Sequence, residues 1–479
     1  MNSIRTLVRS VPLSAAVAAS ALAQPAAPIR ALVLTGQNNH NWQFTSRVHE
    51  DTLEGTGRFV VDVADDPAQA LANAEAIKKY QVFVVDYNGP RWGTQAETNF
   101  MNAVKGGSGA VIIHAANNAF VGWPEYETLC GLMWINGKTG HGKFHEFDVR
   151  LVDKDHAITK GMADLKAHPD ELYHNLVNTQ NAKYTLLAKA TSSTESGGTG
   201  RDEPMALTLN VDKGRIFHTP LGHVWTGVDS SKVSVLDPQF RILLARGTEW
   251  AATGAVTLGT QWKDVRRHNM LTDDEKADGW KLLFDGSSTA LWRGYKQDKF
   301  PGAGWAVKDG VLTLAGKGGG DIVTTDKFGD FEFACEWRVP AGGNSGIMYR
   351  STEDHSYPWE TGPEYQILDD AGHADGKKPK TRAGTLYDVV ALSCDTARPA
   401  GEWNSSRIVA RGTRIQHWLN GFKVVEVDTA SPEYKQALAQ SKWTKYPDYG
   451  TKIRGHIALQ DHGDEVQFRD IKVRDLSGK

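Results

Sequence analysis

Apolar and polar residues alternate along short segments of the second half of the chain, which is typical of β-strands with one buried face. Residues 331–338 show the pattern most clearly. One parity contains Phe331, Phe333, Cys335 and Trp337, and the other contains Glu336 and Arg338. Because successive side chains of a strand point to opposite faces, we predict that the apolar set faces a core and the polar set faces away from it.

The same alternation recurs in residues 362–370 and 456–462. The positions predicted to point inward are Tyr365, Ile367, Ile457 and Leu459. If these strands share one sheet, their outward side chains gather on a single surface. That surface would contain Glu336, Arg338, Arg350, Glu364, Gln366, Gln460 and His462.

The residue types on this predicted surface suit the binding and deprotonation of a polyhydroxylated substrate, because they include carboxylates, amides, guanidinium groups and an imidazole. A merely solvated sheet face is the alternative for the whole set. For Glu336 and Arg338 the alternative is a cross-strand salt bridge. His462 lies in a predicted turn, where capping a loop is an alternative to catalysis.

The first half of the chain shows a different pattern, in which strands and helices alternate. Short apolar strands are predicted at residues 29–36, 59–63, 82–86 and 110–115, and helices at 68–80 and 97–105. This order predicts an α/β domain with a doubly wound parallel sheet over residues 29–252.

A polar connector is predicted at residues 253–277, and an all-β sandwich at residues 278–475. Helical spacing is seen there only at 433–441, which we interpret as an insertion. At 479 residues, the chain is too long for one ordinary core, which agrees with two domains.

Composition restricts the function classes. A net charge of −3 predicts no general attraction to nucleic acid or to anionic lipid. Three cysteines do not make a disulfide framework, and Cys335 is expected to act as a small core residue. The polar surface described above therefore leaves a small polyhydroxylated molecule as the expected partner, while the oligomeric state stays open.

The N-terminus has the features of a secretory signal peptide over residues 1–23. Arg5 and Arg9 precede an apolar stretch at residues 11–22, and Ala21-Leu22-Ala23 forms a cleavage motif. The protein is therefore expected to be exported, to the periplasm if its source is a Gram-negative bacterium. No later segment is long and apolar enough to insert into a membrane.

Histidines follow predicted strands of the first half. His40 comes after the first strand and His114 ends the fourth, which places both at the carboxyl edge of the sheet, where ligands bind in this architecture. With Glu171 and His223 they make a candidate site for a divalent metal ion. Polar loop residues that bond to their own backbone are the alternative.

Several motifs of the first half resemble the ThuA-like (trehalose utilisation) family. They are Thr35-Gly36 followed by His40, Val111-Ile112-Ile113-His114-Ala115-Ala116, residues 155–161, residues 170–173 and residues 214–223. The resemblance implies a class I glutamine amidotransferase-like, flavodoxin-like fold and an association with 3-keto sugars. It places His114 where amidotransferases carry a nucleophilic cysteine, so glutamine hydrolysis is not expected.

Four motifs of the second half resemble the 3-keto-disaccharide hydrolase family, described as 3-keto-glucoside 1,2-lyase and 3-keto-2-hydroxy-glucal hydratase. They are residues 280–286, 344–350, 362–369 and 455–463. The resemblance implies a concanavalin A-like jelly roll that holds a sugar on its concave sheet. A ketone at carbon 3 acidifies the proton at carbon 2, so a base can start elimination at carbon 1, and hydration of the resulting glucal completes the cleavage.

The residues expected to carry this chemistry come from the predicted surface. Glu364 or His462 would serve as base or acid, and Arg350 as a clamp for the enolate oxygen or a hydroxyl. Glu336, Arg338, Gln366 and Gln460 would hold the substrate. Two other functions stay open: a carbohydrate-binding module that presents sugar to the first half, and a conventional glycoside hydrolase. The amide of Gln366 counts against paired carboxylates.

Overall fold

The computed structural model describes residues 27–478, so the predicted signal peptide lies outside the described residues. The first half contains, in chain order, β1 (Ile29–Leu34), α1 (Trp42–Glu54), β2 (Phe59–Ala64), α2 (Pro67–Leu71), α3 (Ala74–Ile77), β3 (Val82–Val85), α4 (Thr94–Gly106), β4 (Gly109–Ile113), α5 (Pro124–Cys130), β5 (Gly140–His141), β6 (His145–Leu151), β7 (Leu165–Asp170), β8 (Tyr173–His174), β9 (Thr185–Thr191), β10 (Asp202–Val211), β11 (Gly214–Thr219), α6 (Val233–Leu236) and α7 (Pro238–Thr253).

The second half contains α8 (Asp273–Ala277), β12 (Lys281–Leu282), β13 (Trp292–Gly294), β14 (Trp305–Lys308), β15 (Val311–Ala315), β16 (Ile322–Thr324), β17 (Phe331–Arg338), β18 (Asn344–Ser351), β19 (Glu364–Leu368), β20 (Asn404–Arg411), β21 (Arg414–Leu419), β22 (Phe422–Asp428), α9 (Pro432–Ala439), β23 (His456–Leu459) and β24 (Glu465–Asp475). Nothing among the helices of residues 27–478 combines the length and apolar character needed to cross a bilayer.

The first half is built on one mixed sheet with the strand order β2-β1-β3-β4-β11-β10-β9-β6-β7. The strands from β2 to β11 run parallel, and the rest of the sheet continues antiparallel. Both faces of the parallel part are buried, because Val82 and Val84 pack into the core that contains α1 and α7, while Phe83 and Val85 pack into the core that contains α4 and α5. This explains why these strands are apolar throughout.

Two expectations for this half need correction. The sheet is mixed and not purely parallel, because β10, β9, β6 and β7 extend it beyond β11 with antiparallel pairing. The helix predicted at residues 68–80 is interrupted between α2 and α3. There the Asn73 side chain accepts hydrogen bonds from the backbone N–H groups of Glu75 and Ala76, which starts a new helix and ends the old one.

The second half consists of two antiparallel sheets. The larger has the order β14-β15-β24-β17-β20-β21-β22, with β12 beside β24, and the smaller has the order β13-β16-β23-β18-β19. Their facing sides form one core, to which β17 contributes the predicted set Phe331, Phe333, Cys335 and Trp337. The smaller sheet adds Tyr365, Ile367, Ile457 and Leu459, also as predicted. The inward parity is therefore confirmed for both sheets.

The segment between α7 and α8 contacts both halves. Trp262 Nε1 donates to the carbonyl oxygen of Thr52 in α1, and Arg266 forms an ion pair with Asp51 at 3.0 Å. Asn269 accepts a hydrogen bond from the backbone N–H of Asp470 on β24. These contacts attach the polar segment to the surface of each half.

Candidate functional site

A cavity of about 340 Å³ lies on the outer face of the smaller sheet. Glu364 and Gln366, two residues apart on β19, form part of its floor, and Gln460 follows β23 beside them. Alternation explains this placement, since Tyr365 between them faces the core. The structure thus brings three predicted site residues to the floor of one cavity, and His462 also lines it.

Gly346 on β18 creates space for the Glu364 carboxyl group. It pairs with Gln366 across the ladder, and a Cβ atom at this position would lie 2.4 Å from Glu364 Oε1. A side chain here would therefore displace the carboxyl group from the cavity floor.

The cavity is covered by aromatic and cationic side chains that the sequence analysis did not select. They are Trp359, Tyr387, Lys442, Trp443, Lys445 and Tyr446. Most of them come from the insertion that contains α9, which packs on its own small core around Tyr434, Trp443 and Tyr449. The available signal was the cluster of lysines and aromatic residues at 442–446, inside an insertion without strand alternation.

Burial controls the protonation of Glu364, whose residue exposure is 4%. Loss of solvation raises the pKa of its carboxyl group to about 8, and the charge of Lys442 opposes this rise. Burial in turn lowers the pKa of Lys442, while Glu364 counteracts the decrease. The Lys442 ammonium lies over the rings of Tyr387 and Trp443, 4.1 and 4.5 Å from their centroids. A titratable acid and a cation therefore share one desolvated cavity.

Two amide oxygens of the cavity are available for a ligand. Gln366 Oε1 and Gln460 Oε1 are buried and accept no hydrogen bond from any residue in the range 27–478. Buried acceptors without partners are uncommon in folded proteins and are typical of sites that receive a ligand. Both oxygens can accept hydrogen bonds from hydroxyl groups.

His462 lies at the exposed rim of the same cavity, where its Nε2 is 3.5 Å from Asn344 Nδ2. The rim opens to a neighbouring cavity, also of about 340 Å³, which shares Trp359, Gln460 and His462 with the first. Asp321 lines this second cavity, and burial raises the pKa of its carboxyl group to about 6.

The prediction for Arg350 is wrong. A register shift separates Met348 from Ser351, and Arg350 has a left-handed backbone conformation with φ of 54°. The side chain therefore leaves the face that alternation assigns to it. Its guanidinium donates to the carbonyl oxygens of Gly329 and Gly412 and pairs with Asp330 at 3.3 Å. Arg350 ties loops together outside the cavity, and Lys442 is the cation inside it.

The predictions for Glu336 and Arg338 are also wrong, because β17 belongs to the larger sheet. Glu336 forms an ion pair with Arg469 at 2.6 Å, and Arg338 donates to the Gln467 side chain. Both partners lie directly opposite on β24. The alternative of cross-strand pairing is therefore correct for these residues. Glu336 and Arg338 do not pair with each other, because each pairs with a residue of β24.

A second group of polar residues lies at the carboxyl edge of the mixed sheet. His40 follows β1, His114 follows β4 and His223 follows β11, and a potential ligand atom from each lies within 4.8 Å of the others. Glu171, from the loop before β8, has its carboxylate 3.3 Å from His223 Nδ1. The structure therefore brings all four residues of the predicted metal site together.

Burial favours the neutral form of the three imidazoles by lowering their pKa values. It lowers the pKa of His40 to about 3, and the charges of His223 and His141 act in the same direction. Burial also lowers the pKa values of His114 and His223. A neutral imidazole has a free nitrogen lone pair, which is the form that binds metals.

The sequence analysis missed three neighbours of this cluster. His141 on β5 lies 2.9 Å from the Glu171 carboxylate, which raises the pKa of its imidazole. The Tyr173 hydroxyl on β8 lies 2.9 Å from His114 Nε2, and Trp225 Nε1 donates to Glu171. Strands β5 and β8 are too short to show alternation, so only the separate sequence positions were visible.

Comparison with protein families gives two matches along the chain. Residues 30–251 match the family described as Trehalose utilisation, ThuA, and residues 279–474 match the 3-keto-alpha-glucoside-1,2-lyase-like domain. A 3-keto-disaccharide hydrolase from Bacteroides thetaiotaomicron is 34% identical over 231 residues, which are 42% of this chain and 79% of that protein. The chain belongs to the 3-keto-disaccharide hydrolase family through its second half and carries a ThuA domain before it, so both resemblances are confirmed.

Solved structures match each half separately. A crystal structure described as a glycosyl hydrolase from Parabacteroides distasonis is 34% identical, covers 44% of this chain and all of that chain, and has a TM-score of 0.42. A ThuA-like protein from Parabacteroides merdae is also 34% identical, covers 50% of this chain and 98% of that chain, and has a TM-score of 0.45.

Proposed function

We propose that this protein is an exported enzyme that cleaves 3-keto glycosides in the cavity of the smaller sheet. The observation that carries the proposal is the buried Glu364 carboxyl group, with its raised pKa, beside two unpaired amide oxygens and the Lys442 ammonium. Membership of the 3-keto-disaccharide hydrolase family supports a carbohydrate substrate. The apolar N-terminal segment supports export.

Glu364 is the base in this proposal. It takes the proton from carbon 2, and the electron pair of that bond forms an enolate with the ketone at carbon 3. Lys442 stabilises the enolate oxygen in place of Arg350. A raised pKa suits the task because it brings the base closer in strength to a weak carbon acid.

The enolate then expels the glycosidic oxygen from carbon 1, which leaves a double bond between carbons 1 and 2 and restores the ketone. His462 at the rim gives the departing oxygen its proton. Water adds its oxygen to carbon 1 and gives a proton to His462, while Glu364 returns a proton to carbon 2, so both residues are restored and the overall result is hydrolysis. Gln366 and Gln460 accept hydrogen bonds from sugar hydroxyls, and the aromatic side chains cover the bound sugar.

Conventional hydrolysis is disfavoured by the cavity lining. Among the described residues that line the cavity, Glu364 is the one carboxylate, and the neighbouring Gln366 and Gln460 carry amides. Paired carboxyl groups, which ordinary glycosidases use, are therefore not provided at this floor.

The proposal also covers the fold assignment. The parallel strand order with helices on both faces supports a class I glutamine amidotransferase-like first half. Two facing antiparallel sheets support a concanavalin A-like jelly roll for the second half.

The test is product analysis in heavy water with a disaccharide oxidised at carbon 3 and with its unoxidised parent. Wild-type protein should split the oxidised sugar alone and place deuterium at carbon 2, beyond the exchange in an enzyme-free control. Glu364→Gln should reduce turnover by about a hundred- to ten-thousand-fold. Cleavage of the unoxidised parent would establish conventional hydrolysis, and binding without turnover would establish a carbohydrate-binding module.

A further inference from the structure

The three histidines at the edge of the mixed sheet have a mutual arrangement that ordinary packing does not require. The ring centroids of His40, His114 and His223 lie 4.6–4.9 Å apart in every pair. Their planes cross at 72–88°, so the rings meet edge to face around a common point. They lie in the segments that follow β1, β4 and β11 of one sheet.

Two of the imidazoles are oriented by a hydrogen bond on Nδ1, and a carboxylate lies beside Nδ1 of the third. The Nδ1–H of His114 donates to the carbonyl oxygen of Pro220 at 2.8 Å, and the Nδ1–H of His40 donates to Asn38 Oδ1 at 3.0 Å. The Glu171 carboxylate lies 3.3 Å from His223 Nδ1. Metal-binding histidines in proteins commonly have their second nitrogen bound in this way, to a carbonyl or a carboxylate.

The hydrogen bonds inside the cluster do not account for all its nitrogens. His223 Nε2 is buried and has no hydrogen-bond partner among the described side chains and backbone. His114 Nε2 has one lone pair but two neighbours, the Tyr173 hydroxyl at 2.9 Å and His223 Nδ1 at 3.0 Å. A bound cation would use the electron pair of His223 Nε2, which the hydrogen bonds of the cluster leave without a partner.

We propose that His40, His114 and His223 bind one divalent transition-metal ion of the zinc type, with Glu171 orienting His223. Nitrogens on one tetrahedral ion with bonds of about 2.1 Å lie roughly 3.4 Å apart, and a potential ligand atom of each histidine already lies within 4.8 Å of the others, so small side-chain movements bring them to one ion. Three protein ligands leave a fourth position for water or an oxygen of a small substrate. His141 beside Glu171 is 37% exposed, so the centre lies one side chain from solvent.

A second group, formed by His268, Glu336 and Asp470, is not chosen, because its charges are already paired. His268 Nδ1 lies 2.5 Å from Asp470, and Glu336 is paired with Arg469. Its members are also only partly buried. This group provides the matched control for the experiment.

The experiment measures metal content in the full-length protein without a histidine tag, after treatment with chelator and reconstitution with Zn²⁺ or Co²⁺. Wild-type protein should retain about one ion per chain, and Co²⁺ should give the visible absorption of a tetrahedral nitrogen site. His114→Gln should lose the ion, and Glu171→Gln should weaken binding by about 10- to 100-fold. His268→Gln should bind as wild type does.

Two results would overturn the proposal. The first is wild-type protein that retains no ion after reconstitution, a measurement that does not depend on how any variant folds. The second is loss of the ion in His268→Gln with retention in His114→Gln. Circular dichroism of each variant identifies unfolding, and Glu171→Gln, which removes no ligand from the three histidines, tests the site if His114→Gln does not fold.

Discussion

At the scale of single residues, the environment of Glu364 determines its chemistry. The residue is buried on a sheet face that would otherwise be solvated, because the insertion with α9 covers it. Its carboxyl group consequently stays protonated up to a pH of about 8. Proton uptake and release by this one group should therefore be visible both in catalysis and in stability.

The pH dependence of activity follows from the role of Glu364 as base. We expect kcat/KM for a 3-keto glycoside to rise with pH and to level off above about 8, because only the ionised carboxylate accepts the proton of carbon 2. A pH profile of initial rates measures this. Rates that fall through the same range would show that the protonated form is required, and would assign Glu364 as the acid.

The stability effect has a defined sign. The folded pKa of Glu364 exceeds its ordinary value of 4.5, so folding keeps a proton that the unfolded chain releases, and stability decreases as the pH rises from about 4.5 to about 8. Glu364→Gln removes this loss. We therefore expect the melting temperature of Glu364→Gln to increase relative to that of wild type as the pH rises from about 4.5 to about 8.

Glu353→Gln is the control for the stability effect. Its hydrogen bond to Arg293 lowers the pKa of Glu353 to about 2, so the ionised form stabilises the protein at neutral pH. We expect this variant to melt below wild type at neutral pH and to lose the difference in acid. The same trend in both variants would contradict the assigned shifts.

At the scale of elements, the insertion between β22 and β23 completes the cavity. Helix α9 begins after Ser431, whose hydroxyl accepts from the Tyr434 backbone N–H, and the chain then returns over the smaller sheet. The returning segment holds Lys442 and Trp443, and Trp443 Nε1 donates to the carbonyl oxygen of Tyr387. The element therefore positions a cation above the floor residues.

Lys442→Met tests this element. We expect kcat for a 3-keto glycoside to fall by about a hundred- to a thousand-fold with a smaller change in KM, because the lost charge stabilises the enolate more than the substrate. Steady-state kinetics provide both values. Lys435→Met on the exposed side of α9 is the control and should match wild type. An equal effect of both variants would show that the insertion has only a structural role.

At the scale of the whole molecule, buried charges join the two halves. Lys232, with a side-chain exposure of 2%, donates to the carbonyl oxygen of Ala397 and pairs with Asp395 at 3.4 Å. Arg398 forms an ion pair with Asp51 of α1. Trp42 packs against Phe422, with ring centroids 5.8 Å apart. The two halves thus meet through these charged and aromatic contacts. Removing one member of a buried charged pair is destabilising, because its partner is left without compensation.

Removing the Lys232 charge should destabilise the protein. Lys232→Met leaves Asp395 with less compensation, and we expect a loss of about 3 kcal/mol in the free energy of unfolding. Urea denaturation measures the change. Lys78→Met removes an exposed pair with Glu75 and should change the free energy by less than about 0.5 kcal/mol. Equal losses of unfolding free energy in the two variants would show that the buried Lys232 contact contributes no more to stability than an exposed ion pair.

The sequence by itself determined the local features of this protein. Alternation identified the inward residues of β17, β19 and β23, because side-chain direction in a strand depends only on neighbouring positions. It also placed Glu364, Gln366 and Gln460 on outward faces. The rule that parallel strands share a carboxyl edge brought His40 and His114 together, and residue type added His223 to them.

The tertiary structure alone decided what depends on distant contacts. Strand pairing separated Glu336 and Arg338 from Glu364, since two strands with the same pattern can join different sheets. A local bulge removed Arg350, and the folding back of the insertion supplied Lys442. Local pattern specifies which face a side chain occupies, but only pairing and packing specify which faces meet.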